Sequence, residues 1–314
     1  HKDGEETMKY FGVLVPLVTP CSRSGDIDLR GVRAVCDDML GAGSTGLFLM
    51  GSTGRGPWFG REDRARLCKA VTEHVGPDVP IFAGCMDNGL KQMVEHAKGA
   101  ADAGAHFAVV TPPGYFQYEQ HEIETILMRF ADASPLKVLL YDVPVYTGSQ
   151  LALDSITRLM RHGNIVGMKD STADEGRLQE VLGVIRDAEG VYFLQGKEHL
   201  LATTMLSGGS GVVTTFSHFL PRPFVTLCGT ALSGGKETAE AIQRQITRLY
   251  QLVVGCLEKR PGISTLFHMV NIALQRRSVC GNIMLEHEGE CPGWLREETA
   301  RAMEISEAAR RAAG

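Results

Sequence analysis

Short apolar runs rich in Val, Ile, Leu and Phe alternate along the chain with longer stretches in which apolar positions recur every three or four residues. A short continuous apolar run is typical of a strand buried on both faces, and the longer spacing is typical of an amphipathic helix. We predict strands over Phe11–Thr19, Gly46–Met50, Val79–Gly84, His106–Thr111, Lys137–Tyr141, Ile165–Lys169, Val191–Gln195 and Gly211–Phe216.

Helical spacing fills most gaps between these strands, over Leu29–Leu40, Arg61–Val75, Lys91–Ala103, Glu122–Ala133 and Asp174–Ile185. Eight alternations of strand and helix predict an α/β fold in which a parallel sheet closes into a (β/α)8 TIM barrel. An open doubly wound sheet is the main alternative. The first strand runs into the sequence PLVTP at residues 16–20, which has none of the glycines of a dinucleotide-binding loop.

The residues after the eighth predicted strand contain more helix than a barrel needs. Pro223–Leu232 is predicted to be the last barrel helix, followed by additional helices over Ala239–Leu257, Ser264–Gln275 and Trp294–Ala312. The length of 314 residues would also suit two domains. We instead expect a polar N-terminal segment over residues 1–9, in part a tag, a barrel over residues 10–235 and a C-terminal helical extension over residues 236–314.

Charge and cysteine content exclude several classes of partner and cofactor. The 32 Lys and Arg residues against 37 Asp and Glu residues give a net charge of −5 with no basic block, so no nucleic-acid partner is expected. The eight cysteines are scattered without a CxxC pair, as expected for reduced thiols of a cytoplasmic protein. No apolar run is long enough to span a membrane and no zinc-binding motif is present, so neither a membrane partner nor a metal is expected.

Candidate catalytic side chains end two neighbouring predicted strands, on the face where barrels of this type carry their active sites. Lys169 ends the sixth strand, where a lysine can simply pack its stem and extend its ammonium to solvent. Alternatively, burial can lower its pKa from about 10.4 and give the neutral amine that forms a Schiff base with a carbonyl substrate. Tyr141, at the end of the fifth strand, is either a rim aromatic or a proton relay for such an imine.

The loop after the second strand reads Gly51-Ser52-Thr53-Gly54. Its successive backbone N–H groups suit a carboxylate, although the same pattern occurs in ordinary tight turns. Arg55 follows this turn, and we expect it to form a surface ion pair. The acidic run Glu286–Glu290 is expected to be solvated.

Four motifs occur in the order and spacing of one known family: the turn at residues 51–54, YDVPVYTG at residues 141–148, GMKDS at residues 167–171, and Gly196 followed by GGSGVV at residues 208–213. Over about residues 10 to 235 the chain resembles the dihydrodipicolinate synthase/N-acetylneuraminate lyase family of class I aldolases. The resemblance implies a (β/α)8 barrel with a helical C-terminal extension, a homodimer or homotetramer, and pyruvate bound as an imine on Lys169 with no other cofactor.

The resemblance also implies roles for single residues. Tyr141 becomes the proton relay, and the backbone N–H groups of Ser52 and Thr53, in the turn that begins at Gly51, hold the pyruvate carboxylate. The hydroxyl group of Ser52 or Thr53 joins the relay.

Three further positions carry over from the family. Gly196 and the backbone of Val213 are expected to line the pocket opposite the carboxylate turn. Tyr115 matches the tyrosine that family members lend to a neighbouring subunit's site, although Gly114 and an extra proline before it alter the local alignment.

One departure from the family bears on the substrate. Tyr146 stands where true dihydrodipicolinate synthases carry an arginine for the carboxylate of aspartate semialdehyde, and its uncharged side chain cannot form that bidentate pair. We therefore expect a Schiff-base-forming lyase that acts on pyruvate or a related 2-oxo acid, with aldol cleavage or condensation with an aldehyde to give a 2-keto-3-deoxy or 4-hydroxy-2-oxo acid. Dihydrodipicolinate synthase proper, a 2-keto-3-deoxy acid dehydratase and a noncatalytic 2-oxo acid-binding paralogue remain as alternatives.

Overall fold

Eight parallel strands close into a barrel in the computed structural model, which describes residues 12–188 and 190–312. The predicted N-terminal segment over residues 1–9, and Phe11 of the first predicted strand, lie outside the described residues. The strands are β1 Gly12–Pro16, β2 Gly46–Leu49, β3 Ile81–Gly84, β4 Phe107–Val110, β5 Lys137–Asp142, β6 Ile165–Asp170, β7 Tyr192–Gln195 and β8 Gly211–Val212. Each strand pairs with the next and β8 pairs with β1, so the predicted (β/α)8 barrel is confirmed.

The helices surround this barrel and continue beyond it. They are α1 Leu29–Gly41, α2 Arg61–Val75, α3 Leu90–Asp102, α4 Gln120–Ala133, α5 Pro144–Thr147, α6 Leu153–Leu159, α7 Glu175–Arg186, α8 Leu201–Leu206, α9 Arg222–Leu232, α10 Lys236–Lys259, α11 Ile263–Arg276 and α12 Gly293–Arg311. The long helices match the predicted ones to within a few residues. The helices α5, α6 and α8 span seven residues or fewer, too few for helical periodicity to show in a sequence.

Alternation along β5 shows how the strands separate two layers of the core. Leu139 and Tyr141 belong to a cluster formed by residues in or directly after the strands, which fills the barrel interior. Val138 and Leu140 point the other way and pack among residues of the surrounding helices. Because side chains alternate across a strand, a residue's place in the strand decides whether it faces the barrel axis or the helices.

The last strand is shorter than its sequence pattern indicates. The predicted strand Gly211–Phe216 ends at Val212, and a 3-10 turn over Thr215–His218 follows. The side chain of Thr214 accepts a hydrogen bond from the backbone N–H of Phe216, at 3.1 Å, and so caps this turn. Threonine and phenylalanine favour strands. The apolar and β-branched residues up to Phe216 therefore predicted a strand where the structure has a turn.

The helical extension packs its apolar faces against the barrel. On α10 the buried residues recur at three- and four-residue intervals, as in Ile242, Ile246, Leu249 and Val253. The second helix of the extension, α11, is buried along nine of its 14 positions. Over the described ranges 12–188 and 190–312, no helix has both the length and the apolar character needed to cross a membrane.

Candidate active site

Lys169 and Tyr141 lie side by side inside the barrel. They are register partners on β6 and β5, so their side chains leave the sheet in the same direction. The Lys169 Nζ atom lies 4.0 Å from the centroid of the Tyr141 ring and 5.3 Å from the centroid of the Phe48 ring. Both Lys169 and Tyr141 are buried. The structure therefore brings together the two side chains that were predicted to form the catalytic pair.

The phenol of Tyr141 is held in a polar environment. Burial alone would raise its pKa, but the charge of Lys169 and hydrogen bonds with Ser52, Ser171 and Lys169 bring the pKa below its ordinary value. A lowered pKa makes the phenol a better proton donor and its conjugate base easier to form. These contacts connect Tyr141 with the predicted carboxylate turn on one side and with β6 on the other.

The turn after β2 has its N–H groups available for an anion. The N–H of Arg55 bonds to the carbonyl of Ser52 at 3.1 Å, and that of Gly56 bonds to the carbonyl of Gly51 at 3.0 Å. For Ser52 and Thr53, by contrast, no acceptor for the backbone N–H occurs among the described residues. Adjacent unpaired N–H groups suit a carboxylate. The Thr53 Oγ1 atom lies 2.6 Å from the hydroxyl of Thr215, the residue that begins the turn after β8.

Two residues with left-handed backbone angles flank this turn. Met50 has φ of 56° and Arg55 has φ of 54°, angles that cost a residue other than glycine about 1–3 kcal/mol. A Cβ atom on Gly56 would lie 1.9 Å from the carbonyl oxygen of Met50. The close approach requires glycine at position 56 and holds the turn tightly against the end of β2.

Gly196 leaves room for the lysine. A Cβ atom there would lie 2.1 Å from the Ser171 hydroxyl oxygen and 2.9 Å from the Lys169 Cε atom. Any larger residue would therefore push against the stem of Lys169. Gly196 lines the same cavity as Val213.

The cavity around Lys169 has a volume of about 200 Å³. Residues of the barrel mouth form one side and residues of α10 and α11 form the other. Its lining includes Ser52, Thr53, Tyr141, Val143, Val145, Tyr146, Lys169, Ser171, Gly196, Lys197, Glu198, Val213, Thr215, Phe216, Tyr250, Val253, Val254, Leu257, Ile263, Leu266 and Phe267. We call this space the inner cavity.

A second cavity of about 560 Å³, the outer cavity, adjoins the first. The two cavities share the lining residues Ser52, Val143, Tyr146, Ile263 and Phe267. Tyr115 lines only the outer cavity and is 76% exposed, so this chain's own Tyr115 does not reach Lys169. Its role at a neighbouring subunit stays a prediction.

Tyr146 stands between the cavities. One part of its side chain is in solvent, since 52% of the residue is exposed. Its hydroxyl group is in a buried setting, where burial and the nearby Tyr141 and Glu198 groups raise its pKa to about 12. Tyr146 is therefore a neutral hydrogen-bonding group at the junction of the two cavities.

The expectation of a surface ion pair for Arg55 is wrong. Arg55 is buried, and its Nη2 atom donates to both carboxylate oxygens of Glu288, at 2.8 and 2.9 Å. Its Nη1 atom donates to the carbonyl of Ile283, and its guanidinium lies 3.8 Å from the centroid of the Phe267 ring. The expectation of a solvated acidic run is likewise wrong for Glu288, which is buried, whereas Glu286 and Glu290 are exposed.

Five polar residues of the inner cavity were not among the predicted site residues: Ser171, Lys197, Glu198, Thr215 and Tyr250. Ser171 bonds with Tyr141, and Thr215 with Thr53. Glu198 is a buried acid whose Oε1 accepts a hydrogen bond from Thr214 at 3.0 Å. Burial raises the pKa of Glu198, against the opposing charges of Lys197 and Lys169. Ser171, Lys197 and Glu198 lie two or three residues after a predicted strand, and this position was the available signal. Thr215 fell within the predicted strand Gly211–Phe216, which hid it.

Three charged side chains lie on the outward side of β5 and β6, opposite the catalytic pair. Asp142 and Asp170 are the residues that follow Tyr141 and Lys169, and they face outward from the barrel. Arg177 on α7 donates to Asp142 at 2.6 Å and lies 3.7 Å from Asp170. Burial, together with the charge of Asp170 and against that of Arg177, raises the pKa of Asp142 to about 6. The three groups connect the ends of β5 and β6.

No three His, Cys, Asp or Glu side chains cluster in a way that could hold a metal ion, as far as the described residues extend. The expectation that the reaction needs no cofactor beyond the imine stays a prediction.

A closed barrel with a buried lysine and tyrosine at adjacent strand ends is the architecture of a class I aldolase. A sequence model of the dihydrodipicolinate synthetase family matches residues 9–284. A 4-hydroxy-tetrahydrodipicolinate synthase of Coxiella burnetii is 30% identical over 241 residues, which are 77% of this chain and 82% of that protein. The chain therefore belongs to the dihydrodipicolinate synthetase family, and the expected lyase class is confirmed.

Solved structures agree in fold. The dihydrodipicolinate synthase of Bacteroides thetaiotaomicron is similar with a TM-score of 0.86 at 24% identity, covering 94% of this chain and 98% of that one. A prophage protein of the same family from E. coli K12, solved in complex with pyruvate, is similar with a TM-score of 0.84 at 23% identity, covering 96% and 99% of the two chains.

Proposed function

We propose that the chain is a Schiff-base-forming lyase that takes up pyruvate or a related 2-oxo acid on Lys169. The observation that carries this proposal is the 4.0 Å separation between the Lys169 Nζ atom and the centroid of the Tyr141 ring inside a cavity. An amine nucleophile needs a proton relay within reach, because nitrogen and carbon both gain and lose protons as the imine forms and reacts.

The geometry suggests a role for each group. The unpaired N–H groups of Ser52 and Thr53 hold the carboxylate of the 2-oxo acid, which places its carbonyl carbon against Lys169. The neutral amine attacks that carbon, the carbonyl oxygen leaves as water after proton transfer through Tyr141, and an imine results. Loss of a proton from C3 gives an enamine, whose carbon forms or breaks a bond to an aldehyde.

The neutral side chain of Tyr146 supports the proposal that the second substrate is an aldehyde other than aspartate semialdehyde. Its neutral hydroxyl cannot replace the bidentate pair that an arginine forms with a carboxylate. Tyr146→Arg is the direct test of this point: a gain of activity with aspartate semialdehyde supports it, and no gain means that position 146 does not determine the substrate. Aldol chemistry and dehydration of a 2-keto-3-deoxy acid share the same enamine.

We further propose a cytoplasmic homodimer or homotetramer. All eight cysteines are free thiols, as suits a reducing compartment. Tyr115 and Phe116 are exposed and pack edge to face, with their ring centroids 4.9 Å apart. Such an exposed aromatic pair suits an interface with a second copy, from which Tyr115 would reach the partner's cavity.

Exchange of the methyl protons of pyruvate in D2O, followed by NMR, tests the proposal without knowledge of the aldehyde. Imine and enamine formation predicts rapid exchange with the intact protein and none with Lys169→Met. Lys197→Met is the matched control, since Lys197 lines the same cavity, and it is expected to retain exchange. Equal exchange by wild type and Lys169→Met would refute the role of Lys169.

A further inference from the structure

The wall that the helical extension contributes to the inner cavity is apolar apart from Tyr250 of α10. Its side chains come from α10 and α11 and include Val253, Val254, Leu257, Ile263, Leu266 and Phe267. Val145 and Phe216 continue this surface from the barrel side. A substrate group on this side of the inner cavity exchanges water for hydrocarbon, which favours an apolar group and disfavours a charged or multiply hydroxylated one.

The two arginines that line the cavities, Arg55 and Arg64, line only the outer one. Arg55 is held by Glu288 and by the carbonyl of Ile283. Arg64 donates its Nε to the carbonyl of Phe59 at 2.9 Å, and its Nη1 lies 3.3 Å from each of the carbonyls of Gly84 and Met86. Neither Arg55 nor Arg64 lines the inner cavity, so in the described part of the chain no guanidinium borders the space around Lys169 where a second carboxylate could bind.

The other cation apart from Lys169 itself is Lys197. It directly precedes Glu198, a buried acid that lines the same cavity. A second substrate whose own carboxylate reached Lys197 would come next to this acid. Like charges on the two carboxylates would then oppose binding.

Room for a longer substituent exists where the inner and outer cavities meet. Tyr146, Ile263 and Phe267 line both spaces. Beyond them, Trp58 and Tyr115 add aromatic surface to the outer cavity. An apolar chain that starts at the reacting carbon can thus follow hydrocarbon and aromatic surface outward.

We propose that the second substrate is an uncharged aldehyde with an apolar aliphatic or aryl substituent, which packs against the α10–α11 wall. This inference rests on the proposed Schiff-base function. The enamine carbon, originally C3 of pyruvate, forms a bond to the aldehyde carbon, and the carbonyl electron pair moves to oxygen. That oxygen takes a proton from Tyr141, and water then hydrolyses the imine, which releases a 4-hydroxy-2-oxo acid and the free amine of Lys169.

Three aldehydes with the same four-carbon chain test the proposal: butanal, succinic semialdehyde and a trihydroxybutanal. Each is incubated with pyruvate and the protein, and kcat/KM is measured from the formation of the 4-hydroxy-2-oxo acid. We expect butanal to exceed the other two by about 10-fold or more, since a hydrophobic pocket rejects an analogue that adds a hydroxyl by about 100-fold and an unpaired carboxylate is costly to bury. Benzaldehyde is expected to react as well.

The outcomes separate this inference from the proposed function. If borohydride traps pyruvate on the protein but succinic semialdehyde or the trihydroxybutanal matches or exceeds butanal, the apolar-substrate inference is wrong and the imine mechanism stands. Trapped pyruvate without turnover of any of these aldehydes also overturns the inference. If pyruvate is not trapped at all, the proposed function fails and the inference fails with it.

A variant of the wall gives a second test. Val254→Thr keeps the side-chain shape but places a hydroxyl in the apolar wall, and is expected to lower kcat/KM for butanal about 10-fold while methyl exchange of pyruvate is unchanged. Val225→Thr is the matched control, because Val225 is half-buried on α9 and does not line either cavity. Unchanged kcat/KM in Val254→Thr would contradict the proposed contact.

Discussion

Arg55 and Glu288, 233 positions apart, form a buried ion pair in which one guanidinium nitrogen donates to both carboxylate oxygens. Arg55 directly follows the carboxylate turn, and Glu288 belongs to the segment between α11 and α12. The pair therefore fastens the helical extension to the turn that is proposed to bind the 2-oxo acid. It also explains how Arg55 is held in its left-handed conformation.

Removing one residue of the Arg55–Glu288 ion pair should lower the free energy of unfolding more than removing both residues. Glu288→Gln leaves the Arg55 charge buried without its anion, and we expect it to lower the free energy of unfolding by about 3–5 kcal/mol. The double variant Arg55→Leu/Glu288→Leu is expected to regain most of that loss. Urea denaturation measures both, and equal losses for the single and double variants would contradict the ion pair as described.

Gly196→Ala should disable Lys169 without unfolding the barrel. The added Cβ would meet the Ser171 hydroxyl and the Lys169 Cε atom at 2.1 and 2.9 Å, so the lysine must move. We expect pyruvate methyl exchange to fall at least about 100-fold, the scale that 1 Å of misplacement produces. Gly183→Ala is the control, since an added Cβ there meets nothing within 4 Å; similar activity of the two variants would disprove the steric argument.

Tyr141→Phe tests the proton relay. The phenyl ring can keep its packing against Phe48, but the hydroxyl that bonds with Ser52, Ser171 and Lys169 is lost. General acid–base groups contribute about 10²–10⁴-fold to rate, and we expect methyl exchange to fall within that range. Tyr118→Phe, which alters a tyrosine outside both cavities, should exchange normally, and a fully active Tyr141→Phe variant would rule out the relay.

Asp142 should make stability depend on pH. Burial and the charge of Asp170, against that of Arg177, raise its pKa from 3.8 to about 6. The folded chain thus binds more protons than the unfolded chain between these values, and this contribution to stability falls as the pH rises through that interval.

Asp142→Asn removes that titration. As the pH rises from about 4 to about 7, we expect the unfolding free energy of the variant to increase relative to wild type by on the order of 2 kcal/mol. Above about pH 7 the difference should stay constant. Unfolding free energies across this range measure the difference. Asp154→Asn, at an exposed position, is the control. A gain that is independent of pH would show that Asp142 does not titrate in this interval.

The fold and the catalytic pair could be predicted from local patterns, whereas the site's long-range contacts could not. Strand periodicity placed Tyr141 and Lys169 at neighbouring strand ends, and alternation then required both to face the interior. The burial of Arg55 depends on Glu288, whose acidic neighbours are exposed, so no local pattern distinguished it. The cavity wall from α10 and α11 depends on how the extension packs, which helical spacing alone does not specify.

Reductive trapping of pyruvate is the most direct test of imine formation on Lys169. The protein is incubated with pyruvate, reduced with borohydride, digested and mapped by mass spectrometry. We expect one reduced pyruvyl group on Lys169, none on Lys197, and no label in Lys169→Met. The absence of a label on Lys169, or a label on Lys197 instead, would contradict this expectation.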